Sequence, residues 1–174
     1  VTIRGLVSRV QKGRWNGGAP PFGYDLAYFS GNDDFLMTVR YQPDGSKLQL
    51  DADGNTVRII PPRESLNFTK SDYCLLVPSA PERVEALRNI FTWYVRDGLG
   101  FGGVADRLNA QGVAAPRGGK RHNPGGPNQW GSTSVREILG NPVYVGDIVW
   151  NRLAMGKFHR VAQGRAVATN HVPG

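Results

Sequence analysis

The chain has 174 residues, of which 40% are hydrophobic and 20% charged, with 23 glycines and 12 prolines. That is enough chain for a packed core, but one broken up by long loops. Twenty-one basic residues against 14 acids leave a net charge of +7, a balance that favours a polyanionic partner such as nucleic acid.

A single cysteine, Cys74, excludes a disulfide-stapled secreted scaffold. No apolar run is long enough to cross a bilayer, and the spaced apolar residues at the start do not form a signal peptide. A cytoplasmic protein is expected. The chain starts without Met and stops at Val172-Pro173-Gly174, so both ends are read as cuts in a longer polypeptide. Charge is segregated along it. Residues 1–24 carry Arg4, Arg9, Lys12 and Arg14 and no acid, residues 25–106 are acidic on balance, and residues 107–174 carry nine basic residues against Glu137 and Asp147. Such segregation points to a polyanion-binding face better than net charge does, although a solvated basic surface has the same pattern.

In chain order, Ile3, Leu6, Val7 and Val10 recur at helical spacing, with Arg4, Arg9 and Lys12 off the stripe and Gly13 as a stop. This predicts a helix over 1–13. Residues 14–24 read as a loop that interleaves Arg14 and Trp15 with small residues, and Phe22 and Tyr24 are expected to pack on the core. Arg14 is suited to a minor groove. Strands are predicted at Phe35–Tyr41, Lys47–Leu50 and Thr56–Ile60, with turns at Pro43-Asp44-Gly45-Ser46 and Asp53-Gly54-Asn55. Cys74–Val77 is a short further strand. Ser79-Ala80-Pro81-Glu82 has a capping-box pattern. It opens a helix to about Asp97 that buries Val84, Leu87, Ile90, Phe91, Tyr94 and Val95, with Gly98 as its stop. Arg83, Arg88 and Arg96 are read as surface charges on it.

Residues 104–111 predict a short helix ended by Gly112, followed by a basic, glycine-rich linker with Arg117, Lys120 and Arg121. Ser132-Thr133-Ser134 starts another short helix, capped by Ser132 or Ser134, which Asn141-Pro142 stops. Val143–Trp150 reads as a strand. Beyond Arg152 the chain turns polar, basic and poorly periodic. Gly98-Leu-Gly-Phe-Gly-Gly103 spells a dinucleotide fingerprint, but a helix, not a strand, precedes it. The sequon at Asn67 has no meaning without secretion. His122, His159, His171 and Cys74 lack zinc spacing, so no metal, cofactor or catalytic residue is assigned.

Helix, basic linker and short helix over 104–139 resemble a helix-turn-helix with a long turn. In that motif the N-terminal residues of the second helix, here Ser132, Thr133, Ser134 and Arg136, meet base edges. Several blocks carry a more specific resemblance: Gly17–Tyr24, Ala86–Tyr94, Val104–Gly112 with Pro116–Lys120, and Ser134–Gly146 followed by Trp150-Asn151-Arg152. In order and spacing they resemble the recombinase domain of large serine recombinases, the phage integrases and mobile-element transposases. The resemblance implies that 1–13 is the end of a helix from an upstream resolvase-type catalytic domain. Residues 14–152 would be the first DNA-binding domain, and 153–174 a tail towards a downstream zinc-ribbon domain. It implies double-stranded DNA as partner, with the loop at 14–18, including Trp15 and Asn16, near the minor groove. The full-length protein would dimerise on its site and form a tetramer in synapsis.

The expected fold is therefore α+β, a helix-turn-helix-like helical core with a β-hairpin or small antiparallel sheet insertion at 30–77. That insertion departs from the family pattern. Phosphate contacts are expected from Arg9, Lys12, Arg14, Arg117, Lys120 and Arg121, and base readout from Thr133, Ser134 and Arg136. The rivals are a winged helix-turn-helix regulator, an RNA-binding module and a protein-interaction domain using the β insertion.

Overall fold

The computed structural model describes residue 8, residues 11–16, 18–116 and 129–147, and the backbone of 159–162 and 165–168. The chain divides into two compact units, one of Ala19–Asn141 and one of Val1–Gly18 with Pro142–Gly174. The fold is α+β.

The larger unit opens with a five-stranded antiparallel sheet made from β1 (Tyr24–Phe29), β2 (Phe35–Tyr41), β3 (Lys47–Leu50), β4 (Thr56–Ile60) and β5 (Tyr73–Pro78), in the order β4-β3-β2-β1-β5. The turns between β2, β3 and β4 follow the turn chemistry of the sequence. Gly45 and Gly54 take left-handed backbone with φ of 90° and 85°. The Asp51 carboxylate accepts the backbone N–H groups of Asp53 and Asn55 at 3.0 and 2.8 Å. These bonds, those from Asn55 foremost, hold the Asp51 carboxyl below its ordinary value.

The 30–77 segment is thus the small antiparallel sheet of the two forms expected, and it is built onto β1, a strand that the sequence reading leaves unassigned beyond Tyr24. β1 is hard to see because Asp25 interrupts its apolar run. The structure buries Asp25 at 1% exposure and neutralises it with Arg40 of β2. Leu26, paired with Val39, and Ile60 of β4 are almost wholly buried in the sheet. Tyr28 stacks on Phe68 of the β4–β5 connection with ring centres 4.1 Å apart.

Three helices follow: α1 (Pro81–Val95), α2 (Phe101–Ala110) and α3 (Ser132–Leu139). They share a core of Ile90, Trp93, Val104, Leu108, Val135 and Ile138. α1 buries Ala86, Ile90 and Trp93, a stripe at i, i+4, i+7. The expected core residues Tyr94 and Val95 face outward at 40% and 72% exposure. Trp93 takes the core position, and Tyr94 stacks on Phe101 at 5.3 Å.

The capping box at Ser79 does not form. The N-cap is Ala80, and the Ser79 hydroxyl donates to Asp25 Oδ1 at 2.8 Å. Nor do Ser132 or Ser134 cap α3, whose N-cap is Gly131. Just before β1, Gly23 has φ of 86°, and a Cβ there would lie 2.7 Å from Leu87 Cδ2. Only glycine lets this turn approach α1.

In the smaller unit Ser8 and Gln11 are helical, and Gly13, with φ of 71°, lies at the expected stop. Pro142–Val145 is a 3-10 turn where a strand was expected. Proline fixes the first φ, and the Gly146 N–H bonds back to the Val143 carbonyl at 3.2 Å. A hairpin unmarked in the sequence pairs β6 (His159–Ala162) with β7 (Arg165–Ala168).

Candidate nucleic-acid interface

α3 is short, and its sequence sorts it sharply. Val135 and Ile138 are buried, while Ser132, Thr133, Arg136 and Glu137 are exposed and Ser134 is half-buried. Thr133 and Arg136, three residues apart, share the outer face, as do Ser132 and Arg136. No side chain caps the helix. Its first intrahelical bond runs from the Val135 N–H to the Gly131 carbonyl. The N-terminal end therefore presents its positive dipole end beside two exposed hydroxyls, a combination suited to an anion. Arg136 lies in the last turn, where a cation also steadies the helix. Glu137 adds a carboxylate to the same face, which can accept from a cytosine amino group but not contact phosphate.

A clamp that the sequence reading missed sets the position of α3. Asn109 of α2 donates its amide to the Trp130 carbonyl at 3.0 Å and accepts the Trp130 backbone N–H at 2.8 Å. The Trp130 indole donates to the Val113 carbonyl at 2.9 Å, and its ring packs edge-on against Phe22 with centroids 4.9 Å apart. Val113 is placed by the end of α2. Gly112 has φ of 69°, its N–H bonds the Asn109 carbonyl, and the Val113 N–H reaches back to the Leu108 carbonyl. This double closure is a Schellman motif and requires a residue tolerant of left-handed backbone. The only sequence hint was a tryptophan inside a glycine-rich stretch, whose N–H needs a partner when buried.

Arg83, expected at the surface, is half-buried, with 21% of its side chain exposed. Its guanidinium lies 4.0 Å from Asp25 Oδ1 and donates to the Tyr41 carbonyl at 3.2 Å. Burial lowers its pKa, and Asp25 opposes that shift. Arg40 and Arg83 both line a cleft of about 530 Å³ with Leu48, Glu82 and the turn at Gln111 and Gly112. They share one carboxylate, Asp25, so the cluster keeps one net positive charge.

Of the other predicted contacts, Lys12 is exposed, and Arg14, Trp15 and Asn16 are half-buried. The Trp15 indole donates to the Gly18 carbonyl at 3.1 Å. Arg9, Arg117, Lys120 and Arg121 lie outside the described residues. The net charge divides unevenly between the units. Ala19–Asn141 carries thirteen basic and thirteen acidic residues, and the other unit carries eight basic residues against Asp147. The whole +7 therefore belongs to Val1–Gly18 with Pro142–Gly174.

A family model described as Recombinase matches residues 81–173, more than half of the chain. The chain belongs to the recombinase family. That membership gives the recombinase domain a role in site-specific recombination and makes DNA its partner. The matched stretch begins at α1, so β1–β5 precede it. No curated protein and no solved structure matches the chain. Among the described residues no helix is long and apolar enough to cross a membrane, and no group of acidic, histidine or cysteine side chains is arranged to hold a metal.

Proposed function

We propose that this chain is the first DNA-binding domain of a large serine recombinase and reads part of an attachment-site half-site. The observation that carries the reading is α3, whose exposed face of Ser132, Thr133 and Arg136 is held in place by the Asn109–Trp130 clamp. α2 and α3 act as a helix-turn-helix-like pair, and α3 enters the major groove with its N-terminal end on bases. The basic linker between them contributes Arg117, Lys120 and Arg121 to phosphates. The concentration of charge in the unit of the two chain ends supports a second, sequence-independent grip through Arg9, Lys12 and Arg14. Trp15 and Asn16 lie beside that grip at the minor groove.

In this reading residues 1–13 continue a helix from the catalytic domain, 14–152 bind DNA, with 30–77 inserted, and 153–174 lead to a further DNA-binding domain. Strand cleavage by a serine nucleophile belongs to the upstream domain and not to these residues. The parent protein acts in the cytoplasm as a dimer on each site and as a tetramer when sites are paired.

The test is fluorescence anisotropy with the element's own half-site duplex and a scrambled duplex over a series of salt concentrations. Preference for the half-site, with affinity falling as salt rises, is the expected result. Equal affinity for both duplexes would remove sequence reading, and no binding at low salt would remove DNA.

A further inference from the structure

Sheet edges are normally blunted with lysine, proline or a cover, because an unpaired row of backbone groups pairs with any strand offered to it. β4 is an edge of the five-stranded sheet and is guarded only in part: it has no lysine or proline within it, but it is five residues long, carries Arg58 at its centre, pairs with β3 through an irregularity at Gln49 and Leu50, and runs into Pro61-Pro62. Val57 and Ile59 project from it at 63% and 65% exposure. The opposite edge, β5, differs, since all but its last residue are half-buried and that residue is Pro78. Beside β4, Arg58 is neutralised by Glu64 at 2.7 Å.

We propose that β4 is a self-pairing edge, which joins two copies of this chain through an antiparallel β4–β4 contact centred on Arg58. The register follows from the sequence. A twofold axis at Arg58 sets Val57 of each copy opposite Ile59 of the other. Two isolated apolar pairs then become one four-residue patch on a single face. Both central arginines arrive already paired with Glu64, so their mutual repulsion is weakened. The same axis brings the β3–β4 turn of one copy, with Asp53, to the end of the other where the chain leaves β4 and carries Arg63. Both residues are exposed, and the salt bridges of the described residues include neither. The charges at each end of the joint are therefore complementary. A five-residue strand buries far less than the roughly 1,200 Å² of a stable complex, so the contact is weak and reversible. It becomes effective where something else holds two copies close together. The inference rests on the sheet alone and stands whether or not the DNA reading does.

The experiment is sedimentation velocity on the 174-residue chain across a concentration series, with circular dichroism to check folding. A monomer–dimer equilibrium is expected. Val57→Lys with Ile59→Lys weakens it by at least about tenfold, because charges replace both apolar pairs. Arg63→Asp also weakens it, and adding Asp53→Arg restores it. Arg58→Cys cross-links to itself on mild oxidation much faster than the unaltered chain does through Cys74. A chain that stays monomeric throughout the series would overturn the proposal. So would a dimer indifferent to the folded Val57→Lys, Ile59→Lys variant, or an Arg58→Cys variant that cross-links no faster than the parent.

Discussion

Asn109 and Trp130 are joined by two hydrogen bonds, 3.0 and 2.8 Å long, from one side-chain amide to both backbone groups of one residue. Twenty-one positions separate them, and the basic linker lies in between. An amide that satisfies a peptide group in this way replaces a strand partner. It fixes where the chain re-enters the domain, two residues before α3 begins.

Replacing Asn109 by Ala removes both bonds and leaves a peptide group unpaired beside a buried indole. The expected loss is about 2–3 kcal/mol, from two bonds of about 1 kcal/mol each and the cost of the orphaned groups. Urea unfolding measures it. Asn109→Asp keeps the acceptor and loses the donor, so it should fall between the parent and Ala. Half-site preference should drop more than the affinity for scrambled DNA, because α3 loses its seat while the phosphate-binding cations remain.

Asp25 is the buried anion for two arginines and a serine. Asp25→Ala leaves the Arg40 and Arg83 guanidiniums without their carboxylate, and an expected cost of about 3–5 kcal/mol follows for a buried pair broken on one side. Arg40→Ala should cost less, since Arg83 and the Ser79 hydroxyl still face Asp25. Equal effects from the two substitutions in thermal melts would show that Arg83 does not share the charge.

If α3 reads bases, Arg136→Ala weakens half-site binding by about 1–3 kcal/mol and leaves non-specific binding nearly unchanged. Arg14→Ala should do the opposite. It lowers affinity for both duplexes and shallows the log–log salt slope by about one unit. Anisotropy titrations on the two duplexes separate these outcomes.

Tyr28 and Tyr41 are held neutral by their surroundings. Burial raises both phenols above the ordinary value of 10.0, most strongly at Tyr28, and the charge on a Cys74 thiolate adds to each shift. A raised folded-state pKa means that the folded state prefers the protonated form. Their contribution to stability is therefore complete below pH 10 and is lost as the pH rises beyond it. Spectrophotometric titration should show Tyr28 and Tyr41 as late phenols, and alkaline unfolding should release them together. Two phenols that titrate normally in the folded protein would contradict this.

Much of the architecture was legible because local rules agreed with tertiary ones. β2, β3 and β4 came out residue for residue, since aspartate-glycine turns bracket short runs that alternate or are rich in β-branched residues. α1 and α3 were visible from their apolar periods. Three features were not legible, each for a tertiary reason. β1 carries a buried aspartate that only Arg40 and Arg83 make tolerable. Ser79 has the letters of a helix cap, but Asp25 takes its hydroxyl. Val143–Val145 has strand propensity, but Pro142 and Gly146 turn it into a 3-10 coil. At the candidate interface the exposed residues of α3 followed from its period, whereas Asn109 and Trp130 did not, because a side chain bonded to distant backbone has no periodic signature.

The central place of β1 in the sheet also sets the order in which the sheet can assemble. β2, β3 and β4 are successive hairpins that close over a few residues each. β1 must find both β2, its neighbour in sequence, and β5, with Leu26 meeting Leu76. The second pairing closes a long loop, and its entropy must be spent before the strand contacts repay it. The hairpin side of the sheet is thus expected to act as a template, and docking of β5, which delivers Ser79 and the start of α1 to Asp25, is expected to be the slower step.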